Sequence, residues 1–245
     1  MAEAIRVQNT DTGQGIVPAH VIYQYAETGV ITTPQVMDAD QIQPASLDLR
    51  LGEIAYRVRA SCLPGPAHTL DDLLEQLSLH RIDLTQGAVL ETGCVYIVPL
   101  LESLNLPRDV SAAANPKSST GRLDIFTRVI ADYAQAFDTV PEGYSGPLFA
   151  EISPRTFSIL ARTGSRLSQI RFRAGPVSQS DDVIAKLHAA ESLISEGDAN
   201  IDNGLALTVD LAGAAPDQPI GFRAKRHSGL VDVDKKAALE VLDYW

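Results

Sequence analysis

Leu47, Leu49 and Leu51 alternate with polar neighbours, and Ile54, Tyr56 and Val58 resume the alternation in the opposite phase. A period of two marks a half-buried strand, and the change of phase around Gly52 predicts a β-bulge or tight bend there. Strand-like runs follow at Val95 to Leu100, Leu148 to Ile152, Phe157 to Ala161, Leu167 to Phe172 and Leu205 to Leu211. Turn signals at Pro64-Gly65, Glu142-Gly143 and Thr163-Gly164 separate them. Many short strands and few helices predict a mainly β fold, either a barrel or a sandwich.

Three helices interrupt the strands. Pro18 to Thr28 places Val21, Ile22 and Tyr25 on one side and stops at Gly29. Thr69 with Asp72 three residues on forms a capping-box pattern, followed by Leu70, Leu73, Leu74 and Leu77 at helical spacing. Ser180 can cap a third helix with Val183, Ile184, Leu187 and Ile194 facing inward. Near the end, Ile220 to Lys225 echoes Ile54 to Arg59, which marks a candidate second repeat. An apolar stretch from Ala237 to Leu242 precedes Trp245, so the chain reads either as cut within that repeat or as closing on a docked helix. The expected division is a flexible segment 1–17, a barrel domain 18–218 with a helical insertion near 180–195, and 219–245 as the start of the repeat.

Composition narrows the function class. Over 245 residues the hydrophobic share is 45% and the charged share 21%, with mean hydropathy +0.00, as in a folded globular protein rather than a disordered one. The net charge of −11 argues against polymeric nucleic acid or an anionic membrane as partner, since both need a basic surface. No apolar run approaches the roughly 18 residues of a membrane span, and Met1 to Gln14 carries no apolar secretory core. Cys62 and Cys94 give neither a disulfide framework nor metal spacing. A cytoplasmic location is the expectation.

Several common sites are absent from the sequence. The residues before Lys117 are Ser-Ala-Ala-Ala-Asn-Pro rather than a phosphate-binding glycine loop, and no Gly-x-Gly-x-x-Gly or Gly-x-Ser-x-Gly occurs. The five histidines are scattered, without the His-x-Glu and Cys-x-x-Cys of zinc deaminases, so no protein zinc site is expected. Lys117 to Arg173 holds eight basic residues against five acidic ones, a local excess of +3 on an otherwise acidic chain. Such an excess suits a small polyanion such as a nucleoside triphosphate, and equally suits arginines paired with surface carboxylates. Within it, Asn115 to Arg122 offers three hydroxyls and two cations in eight residues, a set able to donate to phosphate oxygens.

Pro116-Lys-Ser-Ser-Thr-Gly-Arg122, Phe137-Asp138 with Gly143-Tyr-Ser-Gly146, Glu151, and Gly164-Ser-Arg-Leu-Ser-Gln169 stand in the order of the dUTP pyrophosphatase and dCTP deaminase superfamily. Ala45 to Gly52 resembles its first strand, and the helix ending at Gly29 and Leu101 to Pro107 are similar to the deaminase branch. The resemblance covers about residues 18 to 173, and the whole chain looks most like the long, tandem-domain dCTP deaminases. A glutamate five residues after the glycine of Tyr-Ser-Gly, here Glu151, and an arginine ending Ser-Ser-x-x-Arg, here Arg122, favour the deaminases. The pyrophosphatases instead use an aspartate near the position of Asp138.

The resemblance implies a distorted β-barrel and hydrolysis of dCTP to dUTP and ammonia without a metal at the base. Glu151 would be general base and then acid, and its carboxyl would need raising toward the working pH. Arg122 would orient Glu151 or hold phosphate, and Ser118 with the Ala131 carbonyl would hold the attacking water. Lys117, Ser119 and Gln169 would contact the triphosphate, with Asp138 also on the substrate and Mg²⁺ bridging phosphate oxygens. Sites of this family form between subunits of trimers, so a homo-oligomer is implied. The chain departs from the family pattern in having Asp132 after Ala131, a longer link to Tyr144, and Ala150-Glu-Ile-Ser-Pro154. Two alternatives stay open: a dUTP pyrophosphatase or bifunctional deaminase releasing dUMP, and a non-catalytic nucleotide-binding or oligomerisation module.

Overall fold

The computed structural model describes residues 14–245 apart from 214 and 216, and is built mainly from antiparallel strands. One six-stranded sheet runs in the order Thr139–Val140, Val110–Pro116, Arg166–Ala174, Ser46–Arg50 and Ile42–Gln43, with Gly15–Ile16 also on Arg166–Ala174. The second runs Ile125–Ala131, Ser145–Pro154, Val95–Asn105, Ile54–Val58 and Ser78–Asp83, with Ile31–Thr32 on Val95–Asn105. Of the expected flexible segment, residues 1–13 lie outside the described residues, and Gly15 and Ile16 pair with Ala174 and Arg173.

The phase change at Gly52 is where the chain leaves one sheet and enters the other. Ser46–Arg50 belongs to the first sheet and Ile54–Val58 to the second. Between them the Gly52 amide donates to the Pro99 carbonyl at 2.8 Å. An added Cβ at Gly52 would lie 2.6 Å from that oxygen, so the residue is glycine for close approach rather than for a bulge. The sheets enclose Leu47, Leu49, Ile97, Ile130, Ile152, Ile170 and Phe172, each fully buried. The other face of Ser46–Arg50 is polar and equally buried. Arg50 is 2% and Glu102 0% exposed. Glu102 accepts from Arg50 Nε and from the Arg50 amide, both at 2.8 Å, and Gln41 Nε2 donates to it at 2.8 Å. A buried charge persists only when paired and hydrogen-bonded in this way.

The helices form as their spacing predicts, with one exception. Ala19–Glu27 buries Val21, Ile22 and Tyr25, and Leu70–Leu77 begins in the capping box of Thr69 and Asp72 and buries Leu70 and Leu74. Asp181–Glu191 also forms, but none of its residues is buried and Ser180 gives it no side-chain cap. Val183 and Leu187 are 44% and 48% exposed. The expected inward face is therefore corrected: helical spacing gathers apolar side chains on one face without supplying anything to cover it. Leu205 to Leu211 is likewise not a strand, for beyond the Ile201–Leu205 bridge it makes no ladder and Leu207, Val209 and Leu211 stay exposed.

The C-terminal segment docks on the end of the barrel. Val231–Asp232 pairs in parallel with Ile159–Ala161, which also pairs with Ala88–Leu90. Arg162 binds Asp232 at 2.8 Å and Asp234 at 2.6 Å, and Tyr244 and Trp245 set their rings edge-on to Phe157 at 5.5 and 5.4 Å. Helix is confined to Val241–Tyr244, and Ile220 to Lys225, unlike the strand it echoes, has no ladder.

Candidate active site

Glu151 sits in the middle of the second sheet. The Ile125–Ala131 strand places Arg128 opposite it in register, and the two side chains point the same way across the ladder, as cross-strand partners do. Glu151 is 2% exposed. Its Oε1 accepts from Arg128 at 3.2 Å from Nε and 2.5 Å from the terminal nitrogen. Its Oε2 is buried with no hydrogen-bond partner. Such an atom inside a fold is costly unless something else fills the gap.

Arg128 is held from every side. The Ser61 hydroxyl accepts from it at 2.7 Å, and its guanidinium lies over the Phe137 ring at 3.4 Å and the Phe126 ring at 4.8 Å. A planar cation sandwiched by rings keeps its fork aimed at one carboxylate. Cys62 is the next neighbour, and burial, with the Glu151 charge adding to it, raises its thiol above the usual range.

Asp138 belongs to the same cluster, and most of what it does is structural. It adopts φ +60°, a left-handed conformation that aspartate tolerates better than most residues. Its Oδ1 accepts from the Val129 amide at 2.8 Å. Its own amide donates to Val129 at 2.8 Å and its carbonyl accepts from Ala114 at 2.9 Å. Burial raises its carboxyl above the ordinary range. The Val129 amide and Arg128 oppose that rise, and Glu151 adds to it.

The other expected residues stand elsewhere. Ser118 and Ser119 open the short helix Ser118–Arg122 and are exposed, as is Arg122, whose Nε reaches only the Ser118 carbonyl at 3.4 Å. Ile125, just after this loop, pairs with Pro154, three residues along the strand from Glu151, or roughly 10 Å at about 3.3 Å per residue. Among the described residues no hydrogen bond or ion pair joins Arg122 to Glu151. Within the chain the arginine bonded to Glu151 is Arg128.

Lys117 is tied to Asp48, a carboxylate 2% exposed. Gln169 accepts from Ser46 at 3.2 Å. The Ala131 carbonyl accepts from Ala134 at 3.3 Å, which leaves one of its two lone pairs. The signal for Arg128 was available only as one of eight basic residues, because its pairing depends on the length of the link from Asp132 to Tyr144. That link is pinned by Tyr144, whose hydroxyl donates to the Pro147 carbonyl at 2.5 Å and accepts from the Asp132 amide at 3.1 Å. Burial pushes that phenol up to about 12.

A family model described as the 2'-deoxycytidine 5'-triphosphate deaminase N-terminal domain matches residues 13–176, and that for the C-terminal domain matches 180–245. The chain belongs to the dCTP deaminase family. Over 155 residues it is 30% identical to the dUMP-forming dCTP deaminase of Dictyoglomus thermophilum, covering 62% of this chain and 76% of that one. It is 29% identical over 156 residues to the dCTP deaminase of Halorubrum lacusprofundi, covering 63% and 74%. The crystal structure of 2'-deoxycytidine 5'-triphosphate deaminase from Agrobacterium tumefaciens matches with a TM-score of 0.88 and 56% identity, over 95% of this chain and 69% of that one. The mainly β architecture expected of a dCTP deaminase is thus the one found, and the family is one of hydrolases acting on nucleotides. No helix among the described residues is long and apolar enough to cross a membrane.

Proposed function

We propose that this dCTP deaminase hydrolyses dCTP to dUTP and ammonia with Glu151 as general base and acid. The observation that carries the reading is the buried Glu151 carboxylate, fixed through Oε1 by Arg128 and left without a partner at Oε2. Oε2 takes a proton from water as the water oxygen bonds to C4 of the cytosine. That proton is delivered to the ring nitrogen; the carboxylate then takes the proton of the new C4 hydroxyl and passes it to the amino group, the C4–N bond breaks, ammonia departs and the C4 carbonyl remains. Arg128 acts as a positioning residue, restricting the carboxylate so that one oxygen faces the reacting atoms.

Ser118, Ser119 and Arg122 supply the triphosphate side of the site, Gln169 a further phosphate contact, and the Ala131 carbonyl a ligand for the water. Since Ser118, Ser119 and Arg122 are exposed and make no hydrogen bond or ion pair with Glu151 among the described residues, the proposal requires a second copy to bring the loop to it, in a homotrimer or an assembly of tandem domains. Mg²⁺ carried on the triphosphate would neutralise part of its charge. A dUMP-forming reaction is the second reading, favoured by Asp138 beside Glu151 and by the name of the Dictyoglomus relative.

The test is ammonia release from dCTP by the full chain and by Glu151→Gln, with product analysis. Loss of about 10²–10⁴ in turnover with dCTP binding retained supports the reading. Undiminished turnover removes Glu151 from the mechanism. Ammonia with dUTP supports simple deamination, and ammonia with dUMP and pyrophosphate the bifunctional form. Binding without ammonia leaves a nucleotide-binding module.

A further inference from the structure

Between the Ser118–Arg122 loop and the C-terminal segment lies a cleft of about 560 Å³, within the usual range for small-molecule sites. Arg122, Arg155, Arg223, Lys225 and Arg226 all line it. Lys225 is engaged with the Leu242 carbonyl. The four arginines have no carboxylate partner among the described residues, whereas Arg50, Arg128, Arg162 and Arg166 are each ion-paired. The single acidic residue in the cleft is Asp124, and its carboxylate already accepts from Thr156 at 2.6 Å.

Four arginines lining one cleft with Asp124 as its single acidic residue, on a chain whose net charge is −11, leave a local positive excess that attracts an anion. Their forked donors match phosphate oxygens. A short, open cleft of this size takes a small polyanion rather than a nucleic-acid strand, which needs an extended basic track. Phe222 and Trp245 form its apolar wall, and Trp245 is fixed in place by Phe157.

We propose that this cleft binds the polyphosphate of a nucleotide, with Arg155 and the C-terminal Arg223 and Arg226 acting beside Arg122. In that role the C-terminal segment completes an anion site that the barrel only begins. The inference rests in part on the reading that places Arg122 on the triphosphate, and its test is therefore a binding measurement that does not depend on turnover.

Calorimetric titration of the full chain with inorganic tripolyphosphate, and separately with dCTP, reads the site. Arg223→Ala with Arg226→Ala should weaken tripolyphosphate binding at least about tenfold, as loss of two charge-assisted contacts implies, and flatten its salt dependence. Arg155→Gln should weaken it in the same direction. Arg171→Ala with Arg173→Ala, an equal loss of charge on exposed residues of another strand, should leave binding unchanged. Tripolyphosphate competing with dCTP in the titration identifies the polyphosphate as the substrate's own, and simultaneous binding of the two identifies a site for a second nucleotide. Either result supports the cleft. Absence of tripolyphosphate binding, or binding equally weakened by both pairs of substitutions, overturns it. A chain that binds tripolyphosphate yet releases no ammonia defeats the deaminase reading alone.

Discussion

The Glu151 cluster and the Arg122 cleft carry charge in opposite ways. In the first, every cation is matched: Arg128 meets a carboxylate, a hydroxyl and two rings, and Glu151 is 2% exposed. In the second, four arginines face solvent without an ion-paired carboxylate among the described residues. Burial forces pairing because desolvating a lone charge is prohibitive. Solvent relaxes that demand, so unmatched charge persists only on the surface, where it is available to a ligand. On the proposed reading, the contrast separates a half-site that would position reacting atoms from one that would attract phosphate.

If that contrast is right, equivalent truncations have unequal effects on stability. Arg128→Ala strands a buried carboxylate and should destabilise by about 3 kcal/mol, the low end for breaking a buried pair because Arg128 is partly exposed. Ser61→Ala removes one hydrogen bond to the same guanidinium and should cost about 1 kcal/mol. Asp138→Asn sharpens the comparison through pH. Its raised carboxyl stabilises the fold fully below the unfolded aspartate value, and that contribution is lost as pH rises through the higher folded one. The asparagine keeps the acceptor for Val129, so relative to wild type the variant should gain stability on going from pH 4 to pH 7. Arg122→Ala, exposed and unpaired, should change stability by less than about 0.5 kcal/mol. Urea denaturation at pH 7, repeated at pH 4 for Asp138→Asn, checks all four. Equal losses for Arg128→Ala and Arg122→Ala would erase the distinction.

Local patterns in the sequence carry the elements that depend on neighbours within a few residues. The capping box at Thr69 and the apolar face of Ala19–Glu27 appear as spacing predicts. The alternation on either side of Gly52 marks two strands, but not half-buried ones: Ser46–Arg50 is buried throughout, and in Ile54–Val58 Ile54 is exposed while Ala55 is buried. What spacing does not contain is the partner across space. Gly52 reads as a bulge because a phase change looks the same whether a strand kinks or crosses between sheets. The Val183 and Leu187 face reads as core because periodicity does not say whether anything lies opposite. Glu151 is legible from the order of its motifs. Its bond to Arg128 is not, since that pairing is set by strand register and by the turn that Tyr144 closes. The same limit hides Arg155, Arg223 and Arg226, which reach one cleft from distant parts of the chain.

On the proposed reading, a working site draws its carboxylate from one protomer and its phosphate-binding loop from another. Glu151→Gln and Arg122→Gln chains, each nearly inactive alone, are dissociated, mixed and reassembled, with assembly verified by mass, and assayed for ammonia from dCTP. Recovery of turnover in the mixture, well above the sum of the two separate chains, is the predicted result. A reassembled mixture no more active than its components would contradict it.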